Sequence, residues 1–373
     1  MLEFAQYYHF IFIIFVLLLT ISKFKQMRKY AGYEVLRRKD NTDTIVFFVI
    51  LFVLIYGFRP VSPYFGDTGV YATSYEDMQD FGINSFEDGL RNKKDWIFYL
   101  FMFSCAQVMD VHFFFFIIML LYIVPMYVGC KKLDFFHVST MMLFCIGGFI
   151  FYGSAVNGIR NGMACSMVIL ALAGLCRGKI LWPVILSFIA INCHKSTILP
   201  VACMFFVRYT KNPKLMFGAW LSTILISLTI GEFISNVFSI IGFDQRLADN
   251  LGKDSIEIEG AIPRFRWDFL LYSSMPILLG WYVIFKRKVY NNTYLMLLGT
   301  YIYANAFWVL AIRAVFSNRI ANLSWFLYPI VLAYPLLNFP VFKKQHSKKT
   351  AWILLAQFGF TFIYAWLVGF DKS

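Results

Sequence analysis

Long apolar runs, broken at intervals by short polar or glycine-bearing stretches, set the pattern of this chain. They fall near residues 6–22, 44–57, 111–129, 135–152, 160–176, 180–193, 195–208, 214–231, 267–285, 293–312, 319–337 and 350–369. A helix that is apolar all round belongs in a large core or a bilayer, not on the surface of a soluble domain. Roughly 20 such residues cross the hydrocarbon layer, so the pattern predicts an all-α, polytopic integral membrane protein with about twelve transmembrane helices. Several runs are short, which implies tilt or local thinning. Phe10–Ile21 has no basic region before it and no small-residue cleavage site after it, so it reads as a retained first span. One further run, Trp96–Met109, is too short to cross and is expected to lie as an outer re-entrant or interfacial helix. Two larger outer loops are expected near 58–110 and 232–266. A single transmembrane domain then covers 1–373, without internal repeat, low-complexity tract or soluble domain.

Composition strengthens this reading. Of 373 residues, 60% are hydrophobic, 20% aromatic and only 15% charged, more apolar surface than a soluble domain can hide. The net charge of +13 would suggest nucleic acid if it were spread evenly, but it is not. Lys23, Lys25, Arg28, Lys29, Arg37, Arg38 and Lys39 form one basic loop, which the positive-inside rule puts in the cytoplasm. If Trp96–Met109 does not cross, the later clusters fall on the same side: Lys131/Lys132, Arg177/Lys179, Arg208/Lys211/Lys214, Lys286/Arg287/Lys288 and Lys343/Lys344/Lys348/Lys349. Most acids then lie outside with both termini. That asymmetry accounts for the charge without nucleic acid. The seven cysteines are scattered, with no Cys-x-x-Cys pair, and read as small core residues.

The same topology collects the unusual polar residues on the outer side. Tyr152–Gly162 breaks an apolar run and carries Asn157, Arg160 and Asn161. A guanidinium near hydrocarbon costs at least ~2.5–3.5 kcal/mol and cannot shed its proton, so it needs an anion or water. Arg160 is therefore either a boundary residue or an anion site, with Gly158 and Gly162 freeing the backbone at a helix start. Arg59 follows the second run and could equally snorkel to the interface. Asp67 could cap a helix opening at Thr68 or act on a substrate. Tyr71 and Tyr75, four apart, share a helix face beside it and could hold a sugar ring. His194 is either a structural interfacial histidine or a base toward a hydroxyl, and Lys195 beside it could attract phosphate. Arg264, Arg266, Arg313 and Arg319 also approach the outer leaflet, against the bias for basic residues. Outer arginines in an otherwise acidic face suggest a polyanion, and pyrophosphate suits guanidinium forks. Neither metal-ligand spacing, P-loop nor Gly-x-Gly-x-x-Gly occurs, so no metal, nucleotide or other cofactor is implied.

The order Arg59…Asp67-Thr68-x-x-Tyr71, Asn157-Gly158-Ile159-Arg160-Asn161-Gly162-Met163-Ala164, Ala190-x-x-x-His194-Lys195-Ser196 and Asn318-Arg319-Ile320 resembles the EpsG family of Wzy-like polysaccharide polymerases. Asn161 departs from the glutamine expected after the arginine, which bears on saccharide contacts. The resemblance implies a glycosyltransferase of the bacterial inner (cytoplasmic) membrane that uses no nucleotide sugar. It would polymerise undecaprenyl-pyrophosphate-linked oligosaccharide repeat units at the outer face, beside other polysaccharide-assembly proteins. On that reading Arg160 and Arg319 meet the leaving pyrophosphate, with Arg59, Arg266 and Arg313 as lesser ligands. His194 is the base and Asp67 the alternative base or sugar ligand, while Tyr71, Asn157 and Lys195 complete the substrate contacts. Two other classes stand beside it: a lipid-linked oligosaccharide flippase, and an O-antigen-ligase-like transferase with a different acceptor. A flippase should carry charges deep in its spans, whereas here they crowd one face.

Overall fold

The structure, a computed structural model, describes residues 2–30, 32–36, 38–80, 82, 95–134, 136–240, 265–313 and 317–369. Much of the expected outer loop 232–266, with Arg246, Lys253 and Arg264, lies outside the described residues, as do 83–94. Among the described residues every regular element is helical. In chain order they are α1 (Leu2–Arg28), α2 (Asp43–Gly57), α3 (Thr68–Asp80), α4 (Trp96–Ala106), α5 (Val111–Leu133), α6 (Val138–Ile146), α7 (Phe151–Val156) and α8 (Ile159–Cys176). They continue as α9 (Leu181–Cys193), α10 (Ile198–Tyr209), α11 (Pro213–Ile240), α12 (Trp267–Trp281), α13 (Asn292–Leu310), α14 (Ser317–Trp325), α15 (Tyr328–Asn338) and α16 (His346–Gly369).

Among the described residues seven helical segments are long and apolar enough to cross a membrane: Tyr7–Arg28, Val111–Leu133, Ile159–Cys176, Pro213–Gly231, Trp267–Lys286, Asn292–Leu310 and Arg319–Asn338. Asp43–Gly57, Trp96–Ala106 and Leu181–Cys193 are apolar but shorter. Large apolar side chains point outward from several of them, among them Leu18, Phe47, Ile50, Leu181, Trp182, Phe188 and Leu225. A helix surface of that kind is stable against lipid and costly in water. The protein is thus a multi-pass membrane protein.

The chain forms two compact units, one of Met1–Val201 with Ala333–Ser373 and one of Ala202–Leu332. In the first, α5 packs along α8 and α8 along α9, while α2 lies on α5 and α1 on α16. Gly129 lets α5 approach α8 closely: a Cβ there would stand 2.8 Å from Ile169 Cγ2. Small residues at such crossings are how membrane helices gain contact when lipid supplies no hydrophobic drive. In the second unit α13 is the central element, with Tyr294, Tyr301 and Trp308 fully buried. Asn305 of α13 accepts from Trp220 Nε1 at 2.9 Å and donates to Ser324 Oγ at 3.3 Å, tying α11 and α14 to it.

The run at 135–152 is not one continuous helix. It ends at Ile146 and resumes as the six-residue α7. Carbonyls freed at the end of α6 are taken up by α16: Gln357 Nε2 donates to Phe144 O at 2.7 Å and Thr361 Oγ1 to Gly147 O at 2.9 Å. In a bilayer a broken helix persists only where protein groups satisfy its backbone, and these come from more than 200 residues downstream in sequence. The expected span at 319–337 matches the segment Arg319–Asn338, which comprises two helices, α14 and α15. Trp96–Ala106 has eleven residues, about 16 Å of helix, too short to cross a bilayer upright.

Candidate functional site

Four places in the first unit converge on one cluster: the start of α3, the start of α4, the α7–α8 joint and the α9–α10 joint. Local chemistry explains each. α7 ends at Val156 with Asn157 as its C-cap, and α8 begins at Ile159, directly after Gly158. Gly162, in the first turn of α8, lies so close to α7 that a Cβ would stand 2.5 Å from Ser154 O. Asn157 reaches back to α3, its Oδ1 accepting Asp67 N–H at 2.9 Å. α9 ends as His194 turns to extended backbone, φ −155°, and a short 3₁₀ turn, Lys195–Thr197, leads into α10.

Arg160 projects from the first turn of α8 into the cluster. Its Nε donates to Tyr71 OH at 2.8 Å and its Nη1 to Asp95 Oδ2 at 2.7 Å, with Tyr99 OH 3.5 Å away. The rings of Tyr71, Phe98 and Tyr99 surround the guanidinium carbon at 5.6, 5.9 and 5.9 Å. The side chain remains 20% exposed, and its Nη2 donates to nothing among the described residues. Arg160 therefore has a carboxylate partner, yet keeps one edge of its fork open.

Asp95 occupies the N-cap position of α4, where a carboxylate ordinarily accepts the first N–H groups of its helix. It makes no such bond. Its Oδ1 instead accepts Lys195 N–H at 2.9 Å, and its Oδ2 takes Arg160. His194 Nδ1 lies 3.7 Å from the same Oδ2, beyond hydrogen-bond length, and this buried nitrogen has no hydrogen-bond partner. Burial raises the Asp95 carboxyl, but His194, Arg160 and the Lys195 N–H outweigh it and hold the group below the usual carboxylate range. Asn192 closes this corner: its Oδ1 accepts from Trp96 Nε1 at 2.8 Å and from Lys195 Nζ at 3.1 Å.

The other predicted residues fall as follows. Asp67 is half-buried at the rim, and its carboxylate makes no hydrogen bond or ion pair among the described residues. Tyr71 is buried and bound to Arg160; burial outweighs the guanidinium and keeps its phenol above the ordinary range. Tyr75 is wholly buried, with its hydroxyl on Met109 O at 2.9 Å. The Tyr71/Tyr75 face is thus packed in protein against Phe98 and Phe114 and is not an open sugar platform, because α4 and α5 cover it.

Arg59 is only 1% exposed. It donates to Tyr56 O (2.9 Å), Val156 O (3.1 Å) and Thr68 Oγ1 (3.2 Å), beneath the Phe115 ring at 4.7 Å. Burial pushes its pKa down to about 10, so it stays charged. In this structure it clamps the end of α2 to α3 and α7, and does not face outward. Arg266, Arg313 and Arg319 belong to the second unit. Arg266 is paired to Asp268 by two bonds of 2.9 and 2.6 Å, Arg313 lies over the Phe265 ring at 5.6 Å, and Arg319 is exposed in the first turn of α14.

Sequence reasoning did not single out Asp95, Tyr99 or Asn192. The available signal was position: Asp95 directly precedes the apolar run of α4, where a capping carboxylate is expected, and its side chain was free to serve elsewhere. Among the described residues no group of three or more His, Cys, Asp or Glu is arranged to hold a metal ion. The cluster therefore combines a partly exposed cation, a shared carboxylate and a partly exposed imidazole in one place.

Neither a curated protein nor a solved structure matches the chain. The model of the EpsG family matches residues 42–373, nearly the whole chain and every residue of this cluster. The chain belongs to the EpsG family of Wzy-like polysaccharide polymerases.

Proposed function

We propose that the protein is a glycosyltransferase that joins oligosaccharide repeat units carried on undecaprenyl pyrophosphate, at the outer face of the bacterial inner membrane. The observation that carries this reading is the Arg160–Asp95–His194 cluster, in which the guanidinium is 20% exposed and the imidazole 25%. A glycosyl pyrophosphate is already activated, so the enzyme's work is to stabilise the departing charge and to take the acceptor's proton. Arg160, with its free Nη2, meets the pyrophosphate. His194 Nε2 takes the proton of the acceptor hydroxyl as the new C–O bond forms at the anomeric carbon. The old bond breaks with its electron pair going to the pyrophosphate oxygen. Asp67 contacts the sugar or serves as the alternative base, and Lys195 and Asn157 fix the surrounding backbone. Arg59 supports the site from below. The distribution of basic loops favours the outer face, because it puts these joints opposite the lysine-rich clusters.

Lipid-linked sugars from a deletion strain test the reading and separate its rivals. Single repeat units accumulating on the outer leaflet are the expected result. Accumulation on the inner leaflet would mean a flippase, and free lipid-linked polymer would mean a ligase. Arg160→Ala and His194→Ala chains present at normal level should fail to restore long polymer. Arg319→Ala tests the second unit separately.

A further inference from the structure

Asp95 is neither a helix cap nor the partner of a single cation. Its Oδ2 is 2.7 Å from Arg160 Nη1 and 3.7 Å from His194 Nδ1, and that nitrogen is buried without a hydrogen bond. A buried imidazole nitrogen facing a carboxylate across a gap of less than ~1 Å beyond bonding distance is an incomplete pair. What holds it open is Arg160, which draws the carboxylate to itself. The carboxylate's other oxygen is pinned by Lys195 N–H at 2.9 Å, on the residue next to His194, so a small rotation suffices to close the gap.

We propose that Asp95 is a positioning carboxylate shared between Arg160 and His194, handed to the imidazole when a pyrophosphate takes the guanidinium. Asp95 neutralises Arg160 through their 2.7 Å contact and keeps the cation in place at an apolar edge. When a pyrophosphate binds Arg160 it supplies the anionic oxygens that Asp95 had provided. Asp95 then accepts the His194 Nδ1–H, which fixes the tautomer, leaves the Nε2 lone pair toward the acceptor hydroxyl and stabilises the imidazolium that forms when the proton arrives. Base strength is thereby coupled to the presence of the donor, and an idle site does not activate water. This coupling rests on the polymerase reading for the identity of the anion, but its wiring is a property of the cluster alone.

The test uses the full-length protein in lipid nanodiscs and needs no turnover. Carbethoxylation of His194 by diethyl pyrocarbonate is followed against pH by peptide mapping, which separates it from the other histidines. The titratable and charged groups facing Asp95 and His194 are Arg160 from α8, Tyr71 from α3, Tyr99 from α4 and Cys193 and Lys195 from the α9–α10 joint; all stay constant except where substituted. Arg160→Gln should raise the pH of half-reaction of His194 by about 0.5 or more, roughly a threefold fall in reactivity at fixed pH. Removing a positive charge could do this through its field alone, so the comparison is repeated with Asp95→Asn. Sharing predicts that the Arg160→Gln shift largely disappears in the Asp95→Asn background, as a double-mutant cycle; equal shifts in both backgrounds overturn the proposal. Asp95→Glu, which keeps the charge, should retain part of the shift and covers the case in which Asp95→Asn does not fold.

Undecaprenyl pyrophosphate is the ligand probe. In the wild type it should reproduce the Arg160→Gln shift, and in Asp95→Asn it should bind without it. Protection of His194 that is the same in both chains is plain shielding and overturns the handover. If the probe fails to bind while the cycle still shows coupling, the handover to this anion is refuted and the fault lies in the polymerase reading.

Discussion

Replacing Asp95 with alanine isolates the energetic core of the site. The substitution removes the only carboxylate bonded to Arg160 among the described residues and leaves the Lys195 N–H without its acceptor. Breaking a buried ion pair by deleting one partner costs about 3–5 kcal/mol, since the other charge is stranded. Arg160 retains its bond to Tyr71 OH at 2.8 Å and is 20% exposed, which puts the cost near the lower end, about 3 kcal/mol. That is roughly a hundredfold in the unfolding equilibrium. Asp95→Leu combined with Arg160→Met removes both charges and fills the space, so it should be more stable than Asp95→Ala alone. Thermal unfolding of the purified protein in detergent, followed by tryptophan fluorescence, reads the order: wild type, then the double variant, then Asp95→Ala. A double variant that unfolds below Asp95→Ala would refute the argument, because the stranded charge would then not be the source of the loss.

Four further outcomes follow from the same geometry. The Asp95 carboxyl is held below its ordinary range, so its folded pKa lies under its unfolded one. The pair's contribution is then complete above about pH 4 and is lost as pH falls through the folded value. The gap in thermal midpoint between wild type and Asp95→Asn should narrow as the pH falls below about 4, and a constant gap contradicts it. Tyr71→Phe deletes one hydrogen bond to Arg160 and should cost about 0.5–1.5 kcal/mol, with polymer shortened but present on gel analysis. Arg59→Ala empties a buried clamp and leaves the Tyr56 carbonyl without its donor, while Val156 O keeps Thr68 Oγ1, so cellular protein level should fall sharply; normal level with lost polymer would instead make Arg59 a ligand. Gly162→Ala forces a methyl against Ser154 O, where the Cβ would sit at 2.5 Å; a cost of about 1–3 kcal/mol should appear in the same unfolding assay.

The membrane helices were legible because their signal is local. The run at 293–312 corresponds to α13, Asn292–Leu310, and the run at 160–176 to α8, Ile159–Cys176. The break at Gly158 likewise marks the joint that carries Arg160. What sequence could not supply was partnership. Arg160 meets Asp95, 65 residues away, and not Asp67, and Lys195 N–H reaches the same carboxylate across 100 residues. In sequence Asp95 is one acid among several between residues 58 and 95. The burial of Arg59 and the covering of Tyr75 by neighbouring helices are equally tertiary facts. The division of 135–152 depends on Gln357 and Thr361, whose side chains replace the missing backbone donors from the far end of the chain.

The central claim is tested most directly by polymerisation in vitro, with purified protein in nanodiscs and a defined undecaprenyl-pyrophosphate-linked repeat unit. The wild type should convert single units into a ladder of multiples, releasing one undecaprenyl pyrophosphate for each linkage. Arg160→Ala and His194→Ala, folded by the unfolding assay, should leave the single unit unchanged. A folded wild-type protein that builds no ladder, or an Arg160→Ala chain that builds the same one, would contradict the account.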